Sequence, residues 1–472
     1  MKNKHIIFLF LLVASFNACT IPSHTARKEN NQLPDAYNQS SDTTNIAFRS
    51  WRQYFEDHML VTLIDSALKN NQELNILMQE IEMDKNEITA RKGEYLPFVS
   101  LGGAAGIEKT GRYTWDGLSE EDLKAHPEKG PKHIGDFRMA AFASWELDVW
   151  KKLRNAKKSA ALNYLSTIEG KNFMITRLIA EIAHSYYELL ALDNIMEILQ
   201  QNIELQTNAL RIVKLEKEAA KVSQLAVNRF EAQLLHTRNL QYDIRQQIVE
   251  TENRIHFLTG SFPSALPRNA AGFRSMSFET IKAGIPSQLL SRRPDIRQAE
   301  LNLAAAKMNV EVARANFLPS FRLTAGLGLT AFNPLYIVKP ESILYNLAGD
   351  LVAPLVNRNA IKGLYATASL RQTAAAYLYE QSILNAYIEV LNQLAQLDNY
   401  AKSVETKSKE VDILVQSIDI SNKLFTSARA DYIEVLLTQR EALDSKIELV
   451  EARLKQAQAK VNIYQALGGG WN

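Results

Sequence analysis

An internal duplication constrains this chain more than any other feature of its sequence. The segment Glu94-Tyr95-Leu96-Pro97 is repeated as Asn316-Phe317-Leu318-Pro319, a shift of 222 residues. Late in each half, Phe257-Leu258-Thr259-Gly260 matches Gln465-Ala466-Leu467-Gly468 at a shift of 208 residues. Self-similarity at a fixed distance indicates one structural unit built twice. We therefore predict a first repeat over residues 51–265, an inter-repeat linker over 266–286 and a second repeat over 287–472.

Both repeats predict the same order of helices and strands. Apolar residues at helical spacing open each repeat, and a Pro follows where that first helix should end. Along the next long helix, apolar residues step by alternating threes and fours, which is typical of a coiled-coil seam. Only 19 Gly and 13 Pro interrupt the chain, so a mainly α fold is expected. The predicted helices are 61–94, 151–213 and 222–258 in the first repeat, and 287–316, 361–427 and a final return helix in the second.

Two β-hairpins are predicted, one within residues 98–147 and one within 320–353. In the first, the apolar residues Phe137 and Met139 alternate with Arg138, and this pattern continues for about ten residues. A period of two over that length suits a membrane barrel strand, with lipid on one face and water on the other. A half-buried hairpin of a soluble domain fits the alternation equally well.

Four strands cannot form a closed barrel in lipid, because an open sheet edge leaves backbone groups without hydrogen bonds. The chain is therefore expected to oligomerise. Cyclic symmetry allows a dimer with eight strands or a trimer with twelve, and only the trimer leaves room for a water-filled interior. The predicted long helix of about 63 residues spans ~95 Å. The opening helix and the return helix of the same repeat, stacked end to end beside it, would match this length.

The amino terminus has the features of a secretion signal. Lys2 and Lys4 precede an apolar run from Ile6 to Phe16, and Cys19, the only cysteine, follows a short region of small residues. We interpret residues 1–18 as a lipoprotein signal peptide and Cys19 as the lipidation site. The polar residues 19–50 would then be a lipid-anchored tether. The alternative is an ordinary cleaved signal with an unmodified thiol.

The charge balance and the residue types exclude several classes of function. The chain has 54 Lys and Arg against 52 Asp and Glu, so it lacks the basic surface of a nucleic-acid-binding protein. The eight histidines include no pair at helical ligand spacing, and the one cysteine is assigned to the anchor, so we expect no metal site and no cofactor. No arrangement of nucleophile and base stands out, and an enzyme is not expected.

Four segments, in order along nearly the whole chain, resemble the TolC family of outer-membrane efflux proteins, in its lipoprotein branch working with RND-type pumps. The match includes the run Leu289-Leu290-Ser291-Arg292-Arg293-Pro294-Asp295-Ile296. The other three segments are Trp51-Arg52-Gln53-Tyr54-Phe55-Glu56-Asp57, Ser144-Trp145-Glu146-Leu147-Asp148-Val149-Trp150 and the closing Ala466-Leu467-Gly468-Gly469-Gly470-Trp471.

This resemblance implies a homotrimer in which four strands per chain form one twelve-stranded outer-membrane barrel. Long coiled-coil helices would continue it as a periplasmic α-barrel, with the linker 266–286 in an equatorial region. The implied function is a passive exit duct for small molecules, docked onto a periplasmic adaptor and an inner-membrane RND-type transporter. A duct for an ABC-type exporter or type I secretion, and a non-conducting structural lipoprotein, are the alternatives. The cargo is not encoded in any motif.

Two sets of candidate site residues follow from the resemblance. Family members narrow their periplasmic entrance with acids and salt bridges, and Asp431 and Glu434 fall on matching positions, with Arg429 beside them. A solvated turn is the alternative for these gate candidates. The signature Arg293-Pro294-Asp295 has a structural explanation, because Pro is tolerated in a first helical turn and Asp complements the helix amino terminus. The helix tips usually carry Gly, whereas this chain has Ala219-Ala220 and Ser427-Ala428.

Overall fold

The structure is a computed structural model, and it describes residues 27–37, 43–109, 133–274, 276, 282–427 and 429–471. The predicted signal peptide and its lipidation site at Cys19 lie outside these residues. Within the described ranges, no helix is both long and apolar enough to cross a membrane.

Helices account for most of the described chain, as the sequence predicted. The two long helices have 67 and 68 residues, and each is followed by a return helix of 35 residues. The helices are α1 (Trp51–Tyr54), α2 (His58–Asn70), α3 (Gln72–Tyr95), α4 (Lys152–Glu218), α5 (Gln224–Leu258), α6 (Ala270–Arg274), α7 (Gln288–Arg292), α8 (Pro294–Ala315), α9 (Asn359–Thr426) and α10 (Tyr432–Ala466). The strands are β1 (Phe98–Glu108), β2 (Ile134–Leu147), β3 (Ser320–Ala331) and β4 (Ile343–Val352).

The four strands form one antiparallel sheet in the order β1-β2-β3-β4. The predicted hairpins are confirmed as the pairs β1-β2 and β3-β4, and β2 also pairs with β3. Phe137 of β2, for example, lies opposite Ala331 of β3. Within the described residues, β1 and β4 each have one neighbouring strand, so both edges of the sheet are open.

The opening helix of each repeat differs from the prediction, because each is broken into two. The first breaks at Asn71 and the second at Arg293, and both residues have extended backbone angles. Arg293 precedes Pro294, and a residue before proline avoids the α conformation. At Asn71 no proline is present, and the side-chain Oδ1 accepts a hydrogen bond from the Leu74 amide at 2.9 Å, which starts the next helix.

The chain divides into two compact units. The sheet unit contains the four strands and the helix segments that adjoin them, within 82–165 and 301–377. The helical unit comprises 29–81, 166–300 and 378–472. Its largest apolar core includes Leu60, Ile64, Ile182, Tyr186 and Tyr464, whereas Phe317 and Tyr365 pack edge to face in the sheet unit.

Candidate functional site

The predicted gate residues lie at the turn between α9 and α10. α9 ends at Thr426, and the Arg429 amide donates a hydrogen bond to the Leu424 carbonyl at 2.9 Å. Asp431 occupies the residue before α10, where Asp normally caps the helix with its side chain, but here the carboxylate makes no capping bond. The carboxylate of Asp431 is thus available to groups outside its own turn.

The structure brings Arg429, Asp431 and Glu434 onto one exposed turn without joining them. All three side chains are exposed, and among the described residues none of them makes an ion pair or hydrogen bond. Leu437 follows one turn after Glu434 and is also exposed. The single chain therefore shows a short array of unpaired charges at this tip, and their role as a gate stays a prediction.

Two apolar side chains that flank Glu434 in the first turns of α10 pack inward. Tyr432 and Leu436 contact a buried cluster at the tip of the first helix pair, which includes Val213, Val227 and Phe230. The i, i+4 spacing of Tyr432 and Leu436 was a usable signal for this packing, since such residues share one helix face. The charged residues at the start of α10 are consequently held on the opposite, solvent-facing side.

The tip of the first helix pair forms its turn without glycine. Ala220 has a positive φ of 56°. The amides of Ala220 and Lys221 donate to the carbonyls of Lys217 and Glu216, both at 2.9 Å, which is the Schellman pattern that ends helices. The substitution of Ala for the usual Gly therefore keeps the turn, at a backbone cost of about 1–2 kcal/mol.

Arg293 forms the centre of a buried polar joint in the second repeat. Its Nε and Nη2 donate to the two carboxylate oxygens of Asp295 at 3.0 and 2.7 Å. Its Nη1 donates to Glu389 at 2.6 Å and to the Ala466 carbonyl at 2.8 Å. Burial alone would lower the pKa of Arg293, but the hydrogen bonds and charges of Asp295 and then Glu389 outweigh it and raise that pKa. The guanidinium is therefore a fixed charge joining α8, α9 and α10.

The structure places the remaining signature residues in the same joint. Pro294 is the first residue of α8 and Asp295 lies in its first turn. Glu389, the partner that sequence reasoning missed, lies 96 residues away from Arg293 on another helix. No local pattern in the sequence marks such a contact.

The first repeat has an equivalent joint at Asn71. This buried side chain donates from Nδ2 to the Leu258 carbonyl at 2.9 Å. Leu258 and Ala466, the two carbonyl partners, are the last residues of the return helices α5 and α10. The two joints thus connect equivalent helix ends in the two repeats.

Each joint contains a glycine that lies directly against the opposing backbone. Gly260 and Gly468 follow the return helices with φ of 62° and 82°. A Cβ on Gly260 would lie 2.3 Å from the Asn70 carbonyl oxygen, and one on Gly468 would lie 2.8 Å from that of Arg292. Only glycine fits such a close backbone approach.

The described part of the predicted tether contacts the helical unit. Tyr37 is buried and its ring stacks on Tyr387 with centroids 5.7 Å apart. Burial raises the pKa of Tyr37, although the nearby Arg293 charge opposes the shift. Farther along, Asn45 donates from Nδ2 to the Gln288 side chain at 3.1 Å, next to the second joint. This segment is therefore part of the packed structure around Arg293.

The chain matches the family described as outer membrane efflux protein over residues 63–261 and 285–469. It is similar to the solvent efflux pump outer membrane protein SrpC of Pseudomonas putida, with 27% identity over 440 residues that cover 93% of this chain and 91% of SrpC. It is also 27% identical to the pyoverdine export outer membrane protein OpmQ of Pseudomonas aeruginosa, over 100% of this chain and 97% of OpmQ.

The fold agrees with solved outer-membrane channels. The open state of the MtrE outer membrane channel from Neisseria gonorrhoeae superimposes with a TM-score of 0.82 at 22% identity, over 96% of this chain and 98% of MtrE. The mainly helical fold with a four-stranded contribution to a β-barrel, predicted from the sequence, is confirmed. Its repeats, its fold and its match over both halves identify the chain as a member of the outer membrane efflux protein family, as the resemblance to the TolC family predicted.

Proposed function

We propose that this chain forms a homotrimeric exit duct that connects a periplasmic adaptor and an inner-membrane RND-type transporter to the outside of the cell. Its family is one of outer-membrane efflux ducts rather than of enzymes. The relatives SrpC and OpmQ are named for solvent efflux and pyoverdine export, so small-molecule export is the function they support. The transported molecules would move passively, and the inner-membrane partner would supply the energy.

The observation that carries this proposal is the open four-stranded sheet. The outer strands β1 and β4 carry exposed apolar residues such as Phe98, Leu101, Tyr345 and Leu347. Unpaired strand edges with apolar side chains are not stable in lipid unless another chain completes the sheet. Three copies would pair β4 of one chain with β1 of the next and give twelve strands.

Exposed apolar residues on the helices support the same assembly. On α5, Leu235, Tyr242 and Val249 recur every seven residues, and they are 57, 64 and 45% exposed in the single chain. On α9, Ile413 and Ile420 repeat the spacing and are also exposed. A helix in a closed α-barrel needs a second seam for its other neighbour, and these residues provide one.

The remaining assignments follow from this duct. Residues 51–265 and 287–472 would be the two repeats and 266–286 the equatorial linker. Cys19, the first residue of the polar tether 19–50, would be the lipidated first residue of the mature chain. Threefold symmetry would gather Arg429, Asp431 and Glu434 around the periplasmic aperture. Mass spectrometry of the amino terminus tests the anchor, because an unmodified terminus elsewhere would contradict it.

Planar-bilayer recording with the purified protein tests the duct. We expect discrete conductance steps from a species whose mass in detergent is that of a trimer. A stable monomer or dimer would contradict the shared barrel. A trimer without conductance steps would instead support a structural lipoprotein.

A further inference from the structure

A run of cations follows the strand β2 directly. Between the end of this strand and the second turn of α4, five cationic residues stand against two carboxylates, Glu146 and Asp148. We call this run the basic segment. Its cations are Lys151, Lys152, Arg154, Lys157 and Lys158.

Two of these cations have partners and three do not. Lys152 lies 3.3 Å from Glu146, and Arg154 lies 3.1 Å from the buried carboxylate of Asp148. Asp148 also caps α4 by accepting the amides of Leu153 and Arg154 at 3.0 and 2.9 Å. Both carboxylates of this segment therefore already have partners. Among the described residues, the side chains of Lys151, Lys157 and Lys158 make no ion pair or hydrogen bond, and Lys151 and Lys158 are exposed.

The position of Lys151 is unfavourable for the fold itself. The amino terminus of a helix carries a partial positive charge, so a cation directly before the first turn of α4 is repelled by it. Lys151 additionally has a positive φ of 60°, a conformation that a long side chain rarely adopts. A stability role does not explain why lysines occupy this turn.

The second repeat makes the same passage from strand to helix without a basic segment. Asn357, with φ of 53°, stands two residues before the start of α9, and Lys151 stands directly before the start of α4. The cation that follows it, Arg358, lies over the ring of Phe317 at 4.8 Å. This guanidinium packs on an aromatic ring of the sheet unit, whereas Lys151 and Lys158 of the first repeat are exposed. The turn therefore does not require the basic segment.

The surroundings of the basic segment are those of a membrane–water interface. Trp150 is partly exposed, and its indole N–H donates to the Pro319 carbonyl at 2.7 Å. Tryptophans at strand ends mark the level of lipid headgroups in barrel proteins. Val149, Leu355 and Val356 are exposed apolar residues of the same region. A cleft of about 210 Å³ lined by Trp150, Lys152, Pro319 and Pro354 opens beside them.

We propose that the basic segment binds the phosphates of anionic phospholipids in the periplasmic leaflet of the outer membrane. Lys151, Lys157 and Lys158 supply the cationic groups, and Trp150 and Val149 lie against the upper acyl chains. Exposed lysines next to an apolar collar favour an anionic lipid surface over a free phosphate ion. The inference rests on the proposed duct only in taking the helical end of the strands as the periplasmic end.

Lipid titration followed by native mass spectrometry tests this inference. The delipidated full-length protein in detergent is titrated with phosphatidylglycerol or with phosphatidylethanolamine. We expect phosphatidylglycerol to bind at least about fivefold more tightly, since each lysine near an anionic surface adds to the electrostatic attraction. The triple variant Lys151→Ser, Lys157→Ser, Lys158→Ser should lose this preference.

Two further variants control for charge and folding. The triple Lys→Arg variant at the same positions should keep the preference. Replacing Lys214, Lys217 and Lys221 with Ser removes three equal charges at the helix tip and should change nothing. A preference that persists in the triple Ser variant, or is lost equally in the tip variant, would overturn the proposal. Displacement of phosphatidylglycerol by equimolar inorganic phosphate would identify an ion site and overturn the lipid assignment.

The same experiment separates this inference from the proposed duct. Native mass spectrometry reports the trimer directly, and the triple Ser variant should remain trimeric and conduct in bilayers like the parent. A conducting trimer without lipid preference would contradict only the lipid surface. A monomer that still prefers phosphatidylglycerol would contradict only the duct.

Discussion

The two repeats bend their opening helices at equivalent residues but hold the bend with different chemistry. In the first repeat the neutral amide of Asn71 reaches the end of α5. In the second repeat the Arg293 guanidinium reaches the end of α10 and also binds Asp295 and Glu389. In both repeats, a glycine after the return helix contacts the backbone of the opening helix. The geometry of the joint is therefore a property of the duplicated unit. The charges are an addition that links a third helix, α9, to the second joint.

The largest expected effect is the loss of Arg293. Replacing Arg293 with Ala leaves Asp295 and Glu389 without their common partner. Because these two side chains are 23 and 38% exposed, solvent screens them, and we expect a loss below the about 3–5 kcal/mol of a fully buried broken pair but above that of the first joint. Replacing Asn71 with Ala leaves one carbonyl and one amide unpaired, at about 1–3 kcal/mol. Urea unfolding of the two variants in detergent should show this order.

A charge-compensated variant sharpens the first comparison. Combining Arg293→Met with Asp295→Asn and Glu389→Gln removes the unpaired charges as well as the ion pairs. We expect it to recover most of the stability that Arg293→Ala loses. Equal losses in Arg293→Ala and Asn71→Ala would show that the charge of the second joint adds nothing to its stability.

The glycines test what the two joints share. Gly260→Ala and Gly468→Ala force a side chain into a left-handed backbone and against a carbonyl, at a cost of at least about 1–2 kcal/mol for the backbone alone. Gly260→Ala should cost more, because its Cβ would lie closer to the opposing oxygen. Gly363→Ala on α9, where a Cβ meets nothing within 4 Å, is the matched control and should be neutral or stabilising. A tolerated Gly260→Ala would contradict the common geometry.

The joints also mark how far the sequence alone predicts this fold. The hairpins were predictable because each strand has its own period of two, and the register follows once both partners are known. The bend at Arg293 has a strong local signal in Pro294. The bend at Asn71 has only the weaker signal of a preferred N-cap residue, and the predicted helix 61–94 continued through it. The bond from Arg293 to Glu389 joins residues far apart in the chain, and only packing brings them together.

The helix tips extend the comparison to conduction. Only the second tip carries the acids Asp431 and Glu434, so charge changes there should alter the channel while Lys221→Ala at the first tip should not. Replacing Arg429 and Asp431 together with Ala is expected to enlarge single-channel conductance, and most clearly in low salt, where screening is weakest. Glu434→Gln should weaken block by divalent cations from the periplasmic side. Parent-like conductance in both variants would show that these residues are merely solvated.

A mild acid response should distinguish the long helices of the two repeats. His184 of α4 shares a 2.7 Å hydrogen bond with Asn462, whereas α9 contains no histidine. Burial lowers the pKa of His184 below its usual 6.5, with the Asn462 hydrogen bond opposing the shift. The unfolded chain therefore binds a proton first, and stability should fall as the pH drops below about 6.5.

The variant His184→Gln isolates this acid response. Its stability between pH 7 and pH 5 should fall less than that of the parent, and the difference should be smaller than the effect of either joint substitution. The exposed His236 provides the control, because His236→Gln should keep the parent's pH profile. Identical slopes for all three proteins would remove His184 as the cause.

The smallest expected effect concerns Ala220, where the first tip uses a residue that does not suit its backbone. Ala220→Gly removes the strain of a positive φ and should stabilise the turn by up to about 1 kcal/mol. The neighbouring Ala219 donates a helical hydrogen bond to Leu215 at 3.1 Å, so Ala219→Gly should destabilise the same turn by about 0.5–1 kcal/mol. The Lys221 amide, bonded to Glu216, reports both changes through hydrogen exchange, slower by up to about fivefold in the first variant and faster in the second. If both variants accelerate exchange, the left-handed alanine is not strained, and the missing tip glycine has no energetic consequence for this repeat.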